Sequence, residues 1–306
     1  MKFGIAFPAQ VPGMGRDDCL EFATRAERLG FDSLWVLDRL VYESMAAMPL
    51  LSAAAALTSR VRLGTSILLA TQHSPLVLAK ELATIDRISD GRLIAGLAAG
   101  GRAVDFAAAN IPMTERGSRL EETVSIMKQA WSGGAVKHRG KSFAFDVPPV
   151  GPTPVQQPHP PIYIGGRSDA AIDRAVRLAD GYIPGGSGPA ALRQELVRVH
   201  DAAARRGRAA DSLPCSAVVY FCMGKDTDQA LASVRHYLQT YYGPELKLQP
   251  ARDTVYGDPE CASERLKEFA ALSLDTLILV PAICDAGQVD LLANALTLAD
   301  VSFGAS

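Results

Sequence analysis

Residues 62 to 97 hold the reading that decides the fold. Arg62-Leu63-Gly64-Thr65-Ser66-Ile67-Leu68 is followed by a helical segment from Pro75 to Ile88, then by Asp90-Gly91, and then by Arg92-Leu93-Ile94-Ala95-Gly96-Leu97. Two apolar runs of strand length flank a segment with apolar residues three and four apart, opened by proline and closed before glycine, so the stretch reads as one βαβ unit of a parallel sheet. The same alternation extends outward. Candidate strands run Phe3 to Phe7, Ser33 to Leu37, Arg62 to Leu68, Arg92 to Leu97, Ile162 to Ile164, Gly181 to Pro184, Ser216 to Cys222 and Thr276 to Val280, which makes eight. Helices Arg16 to Leu29 and Glu115 to Trp131 stop at Gly30 and at Gly133-Gly134. Eight strands alternating with helices predict an α/β fold, a (β/α)8 TIM barrel forming a single domain over residues 1–306.

Two stretches break the rhythm and predict insertions. Lys137 to Pro161, crowded with prolines after Gly140, reads as a β-hairpin and extended excursion between strands four and five. Gly243 to Pro259, polar and proline-bearing, reads as part of a long connection between strands seven and eight. No repeat exceeds one βα unit.

Composition narrows the function. The formal charge is −2 and the basic residues are scattered among acidic ones, which offers a phosphate backbone no basic stripe and predicts no nucleic-acid partner. The five cysteines, Cys19, Cys215, Cys222, Cys261 and Cys284, lack any Cys-x-x-Cys pair and read as buried free thiols. No run of eighteen apolar residues exists, and the apolar run before Pro8 is too short for a signal h-region, so no membrane association and a cytoplasmic location are expected.

In a parallel barrel the ligand site is built by the loops that leave the C-terminal strand ends. Gly165-Gly166-Arg167-Ser168 and Gly185-Gly186-Ser187-Gly188 follow strands five and six. Glycines let backbone N–H groups approach an anion and the following helices add free donors, so each loop is a candidate phosphate cradle; each could equally be a tight turn. Asp38-Arg39 follows strand two and reads either as a pocket pair or as an ion pair that orders a strand end. His73 follows strand three, as a candidate acid or base or as an ordinary loop histidine. His138, His159, His200 and His236 show no ligand spacing, so no metal is assigned.

Read in order, Phe31-Asp32-Ser33-Leu34-Trp35-Val36 into Asp38-Arg39, Arg62 to Leu68, Ala79-Lys80-Glu81-Leu82-Ala83-Thr84-Ile85-Asp86, Ser89-Asp90-Gly91-Arg92-Leu93, Pro158 to Gly166 and Ala179-Asp180-Gly181-Tyr182 resemble the luciferase-like monooxygenase family, and within it the coenzyme F420-dependent branch. The resemblance covers nearly the whole chain. It implies a TIM barrel that binds F420, or alternatively FMN, with a bulge and a non-proline cis peptide at Ser66-Ile67, beside Thr65, against the ring. It also implies phosphate binding at Gly165, Gly166, Arg167, Ser168, Gly185, Gly186 and Ser187, with Asp38 beside the cofactor. Relatives in that branch carry histidine after the strand-two aspartate and a glutamate after strand four, where this chain has Arg39 and Gly101, and they often hold a longer segment with an active-site tryptophan than Leu40 to Met48. Alcohol or sugar-phosphate oxidation is therefore doubtful and no catalytic residue is assigned; Arg39 and His73 are candidate substrate-pocket residues.

The reading that follows is hydride transfer between F420 and a small organic substrate. The alternative is a monooxygenase using reduced FMN and O2. A non-catalytic flavin-binding barrel, and a nicotinamide-dependent dehydrogenase built on Gly186-Ser187-Gly188-Pro189-Ala190-Ala191, stand further off, the latter because no ribose-binding acid follows the next strand. Lys247 and Arg252 could meet the acidic tail of F420. The resemblance further implies a homodimer, and Ser44 to Leu57, rich in alanine and methionine, is the helix suited to a two-fold contact.

Overall fold

The computed structural model describes residues 1–209, 212–243 and 246–304. Its strands are β1 (Lys2–Ala6), β2 (Ser33–Val36), β3 (Arg62–Thr65), β4 (Leu93–Leu97), β5 (Val136–Arg139), β6 (Ala144–Val147), β7 (Ile162–Gly165), β8 (Gly181–Ile183), β9 (Ser216–Met223), β10 (Val255–Gly257) and β11 (Thr276–Pro281). Between them lie α1 (Arg16–Leu29), α2 (Ala47–Leu57), α3 (Pro75–Ile88), α4 (Ala103–Ala108), α5 (Arg116–Trp131), α6 (Asp169–Leu178), α7 (Pro189–Arg205), α8 (Thr227–Tyr242), α9 (Pro250–Asp253), α10 (Pro259–Ala270) and α11 (Gly287–Leu298). All eight strands read from the sequence are present. β3 is shorter than expected because the chain leaves the ladder at Ser66 and rejoins it only through a bridge from Leu68 to Leu97.

Nine strands form one parallel sheet in the order β10-β9-β11-β1-β2-β3-β4-β7-β8. The sheet curls until β8 meets the start of β9, where Tyr182 bridges to Cys215 and its N–H donates to the Pro214 carbonyl at 2.8 Å. Neighbouring strands follow chain order round most of this curl, and the reversal of order that a dinucleotide-binding fold needs is absent, which removes the nicotinamide reading of Gly186 to Ala191. The antiparallel β5–β6 hairpin lies where a hairpin was expected. The stretch Gly243 to Pro259 lies between β9 and β11 and holds a short strand, β10, that the sequence did not show: Tyr256 pairs with Cys222, and three residues are too few to show a strand period. Pro244 and Glu245 of that stretch lie outside the described residues.

Strand residues alternate between two apolar layers. Ile5, Leu34, Leu63 and Leu279 face the helices, whereas Ala6, Trp35, Ile94, Val218 and Ile278 fill the interior of the curl. A fully buried leucine or isoleucine contributes about 1.5–3 kcal/mol. Trp35, 1% exposed, lies across its neighbours on β1 and β3; it donates from Nε1 to Ser33 Oγ at 2.8 Å, and a Cβ on Gly4 would stand 2.5 Å from that nitrogen. A Cβ on Gly64 would enter the six-membered ring. Both glycines are therefore room for one indole.

Loops away from the strand mouths are held by single carboxylates. Glu27 accepts the backbone N–H groups of Ser59, Arg60 and Val61, and fully buried Asp86 accepts those of Val155 and Gln156. Glu122 accepts N–H groups from Lys141, Ser142 and Phe143 at 3.0–3.2 Å and meets His138 Nε2 at 3.1 Å, which fixes the β5–β6 hairpin on α5. The cysteines depart from expectation, because Cys261 in the first turn of α10 is exposed and Cys284 half-buried, while Cys19, Cys215 and Cys222 are buried. Among the described residues no helix is long and apolar enough to cross a membrane.

Two outcomes follow from this packing. Gly64→Ala drives a methyl into the Trp35 ring and should cost about 1–3 kcal/mol, as overpacking does, read as a lower urea midpoint with altered indole emission. Burial raises the Glu122 carboxyl, but the His138 and amide hydrogen bonds more than reverse this and hold it below the ordinary glutamate value. Its contribution is thus complete above that ordinary value and lost as pH falls through the lowered one. Hydrogen-exchange protection at Ser142 and Phe143 should be present at about pH 6 and collapse below about pH 4, and Glu122→Ala should lack it at both.

Candidate functional site

The C-terminal end of β3 sets the floor of the site. The Thr65 carbonyl oxygen sits where a side chain on Gly96 of β4 would stand, and Thr65 Oγ1 donates to the Gly96 carbonyl at 2.6 Å. Ser66 N–H donates to Val36 of β2 at 2.9 Å, and the following Ser66-Ile67 peptide is cis, as the resemblance implied. Ile67 is thereby laid against β7: a Cβ on Gly165 would come within 3.1 Å of its side chain. Ser66 Oγ is buried with no hydrogen-bond partner among the described residues.

The two glycine loops leave β7 and β8 side by side, with a Cβ on Gly185 falling 3.7 Å from the Arg167 side chain. Gly166 has φ +128°, a conformation closed to residues with side chains, and its carbonyl accepts from Tyr182 Oη at 2.7 Å. Ser168 caps α6 by accepting Ala171 N–H at 3.2 Å. The N–H groups of Arg167, Ser168, Asp169 and Ala170 have no acceptor among the described residues, so the turn presents a row of free donors at a helix N-terminus. Gly186 lies against Tyr220, where a Cβ would come within 2.9 Å of the ring, and Ser187 is buried just before α7. Behind the first loop, Glu195 of α7, 4% exposed, accepts from Tyr182 Oη at 2.8 Å and lies 3.5 Å from Arg167 Nε and 3.4 Å from Arg198 Nη1.

The β2 end faces the same mouth. Asp38 accepts the Leu69 N–H at 3.0 Å, two residues beyond Ile67. Burial pushes its carboxyl above the ordinary aspartate value and the charge of Asp105 adds to the rise, while the Leu69 N–H and half-buried His73 oppose it. Arg39 does not stay at its neighbour: it lies 3.7 Å from Asp105 of α4, with both side chains 4% exposed, and donates to the Tyr241 carbonyl. Its guanidinium is stacked between the Tyr42 and Tyr241 rings at 4.6 and 5.2 Å, and Arg102 covers the Tyr241 and Tyr242 rings at 4.5 and 4.9 Å. Removing one member of a buried pair such as Arg39–Asp105 strands the other, at about 3–5 kcal/mol.

The end of α8 supplies the wall. Tyr237 and Tyr241, four apart on the helix, stack at 5.8 Å, and the Tyr220 and Tyr242 hydroxyls lie 2.6 Å apart. Burial raises all four phenols above the ordinary tyrosine value. None of these tyrosines was marked in the sequence, nor were Asp105 and Glu195, and Tyr182 was quoted only within a family motif without a role; the Tyr237–Tyr241 spacing and the Tyr241-Tyr242 doublet at a helix end were the available signals. The structure brings Thr65, Ser66, Ile67, Gly165 and Gly166 to one place and Asp38, Arg39 and His73 to an adjoining one. Arg252 is not free for an acidic tail, since it pairs with Asp253 at 2.7 Å.

Over 258 residues the chain is 30% identical to the F420-dependent glucose-6-phosphate dehydrogenase of Nakamurella multipartita, covering 81% of this chain and 75% of that protein. Over 235 residues it is 30% identical to the 5,10-methylenetetrahydromethanopterin reductase of Archaeoglobus fulgidus, covering 77% and 68%. The crystal structure of the monooxygenase RslO1 from Streptomyces bottropensis superposes with a TM-score of 0.79 at 25% identity, over 97% of this chain and 99% of that one. The family model described as luciferase-like monooxygenase matches residues 1–296, and the chain belongs to that family.

Proposed function

We propose that the protein is an F420-dependent oxidoreductase that transfers a hydride between the deazaflavin and a small organic substrate, on a closed (β/α)8 barrel that forms one domain and works in the cytoplasm. The observation that carries this reading is the row of free N–H donors from Arg167 to Ala170, which begins two residues after Gly165, where an added Cβ would meet the Ile67 side chain at 3.1 Å. A phosphate-bearing ring system fits these residues: the donors suit the phosphate, Gly165 and Gly166 let it approach, and the unpartnered Ser66 Oγ offers a hydrogen bond beside Ile67. When bound, the deazaflavin supplies the carbon that takes or gives the hydride. The F420-dependent relative at 30% identity supports the choice of cofactor.

The chain's own residues divide the remaining work. Ile67 backs the ring, and Arg167, Ser168, Gly185, Gly186 and Ser187 hold its phosphate end. Arg39, Arg102, Tyr241 and Tyr242 close the mouth with aromatic and guanidinium faces that exclude water. Asp38, whose carboxyl is raised by burial, retains its proton to higher pH than an exposed aspartate and is the group suited to exchange a proton with a substrate oxygen, with His73 adjusting its charge. Arg39 and Gly101 stand where the resemblance implies a histidine and a glutamate in alcohol- and sugar-phosphate-oxidising members, which speaks against those two substrate classes. The likeness to a monooxygenase supports FMN as a second reading.

Titration of the purified protein with F420 and with FMN, each followed by fluorescence, tests the proposal: F420 should bind more tightly, and binding of FMN alone would overturn it. Gly166→Val, strained at φ +128° and directed at Ala171, should weaken F420 binding by about tenfold or more while the far-ultraviolet dichroism is kept. We also propose a homodimer through α2, where an apolar groove of about 420 Å³ between α1 and α2 is lined by Leu20, Met45, Pro49, Leu50, Ala53 and Leu57. Light scattering at micromolar concentration should give twice 32.5 kDa, and a one-chain mass unaltered by F420 would rule the dimer out.

A further inference from the structure

We infer that the cradle after β7 selects a singly charged phosphodiester over a doubly charged phosphomonoester, and that buried Glu195 makes the selection. The inference rests on the reading of this loop as the cofactor's phosphate site, and it names the residue that decides which phosphate enters.

The basis is a count of charge around the loop. Two guanidiniums border it, and both are already matched. Arg198 Nη2 lies 2.7 Å from Asp169 Oδ1 and donates to the Arg167 carbonyl at 3.0 Å, while Arg198 Nη1 reaches both Glu195 oxygens at 3.4 Å. Arg167 Nε lies 3.5 Å from Glu195 Oε2. Formal charges at the cradle therefore cancel, and an incoming anion is met by neutral donors, the N–H groups of Arg167 to Ala170, rather than by surplus positive charge. Asp169 is 96% exposed on its side chain and is screened by water, but Glu195 is 5% exposed and its charge is felt across the loop. Tyr182 Oη lies 2.8 Å from Glu195 Oε1 and 2.7 Å from the Gly166 carbonyl, so its single proton is shared between the two acceptors, and Glu195 is held besides by Arg167 and Arg198.

Amide donors and a helix terminus satisfy one negative charge well. A second charge on the same phosphate gains no further cation and is repelled by Glu195. F420 joins its ribityl chain to its tail through a phosphodiester, with one charge; FMN ends in a phosphomonoester whose second proton leaves near pH 6, as in other phosphate monoesters. The arrangement thus discriminates between two ring systems of similar shape at the end remote from the chemistry.

The test is the ratio of dissociation constants for FMN and F420 in the wild type, Glu195→Gln and Asp169→Asn, with riboflavin as the ligand lacking phosphate. Glutamine keeps an acceptor for Tyr182, removes the charge and gives up the second acceptor that faces Arg167. Glu195→Gln should tighten FMN by roughly tenfold, a change of about 1.4 kcal/mol, and leave riboflavin within about twofold. F420 should move by no more than about threefold, and Asp169→Asn should shift FMN in the same direction by less. Between about pH 5.5 and 7.5 the wild type should lose FMN affinity as the second proton leaves, and Glu195→Gln should not. An FMN to F420 ratio unchanged in both variants overturns the selection while leaving the phosphate site standing. Equal binding of riboflavin and FMN by Glu195→Gln, with no gain from phosphate once the opposing charge is removed, overturns the site itself. If Glu195→Gln fails to fold, the exposed Asp169→Asn variant and the wild-type pH profile decide.

Discussion

The Thr65 carbonyl, seated where Gly96 has no side chain, is the contact on which the active face depends. It ends β3 and turns the chain out of the ladder. Every neighbouring feature is then placed by short covalent distance: Ser66 meets β2, Ile67 meets β7, Leu68 rejoins β4, and Leu69 offers its N–H to Asp38. One crowded backbone approach thus links four adjacent strands at the level where ligand binds, and a side chain at Gly96 would displace all of them together.

Charge is handled in two ways around that floor. At the mouth, Arg39 and Arg102 are laid on tyrosine faces, and Arg39 is matched as well by buried Asp105. At the cradle, guanidiniums meet carboxylates and the working donors are peptide groups. The two ends thus hold their cations by different means, with aromatic faces added at the mouth and carboxylates alone at the cradle. This division suits a ring whose reactive part and anchor lie at opposite ends.

The architecture was legible because each strand is a short apolar run bounded by glycine or a charged residue, and because the helices carry proper stops such as Gly30, whose φ of +89° is that of a helix C-cap. β10 escaped notice since Val255-Tyr256-Gly257 is defined by its pairing with β9 rather than by any pattern of its own. Of the site, the glycine loops and the Ser66-Ile67 turn could be read, because glycine leaves a visible mark wherever backbones or ligands come close. Arg39 could be located but not its partner: Asp105 lies 66 residues on, in α4, and nothing local couples the two. The tyrosines and Glu195 looked like ordinary helix and strand residues. Their roles arise from which elements the curled sheet brings together, which depends on packing over the whole chain.

The carboxylates that gather backbone N–H groups carry a consequence for how such a chain can change. Glu27, Asp86 and Glu122 each bind a loop through its main chain, so the side chains of those loops are largely unconstrained by the bond. Residues such as Lys141 and Val155 can drift in identity as long as they present the same amides to the same acid, whereas Gln156, whose side chain donates to Asp86 at 2.7 Å and to the Leu93 carbonyl at 2.8 Å, and core residue Val61 are held by their side chains as well. A hairpin anchored in this way is modular: Glu122 with its helix turn could be transferred to a related barrel and receive a different β5–β6 excursion, making one glutamate a socket for interchangeable surface.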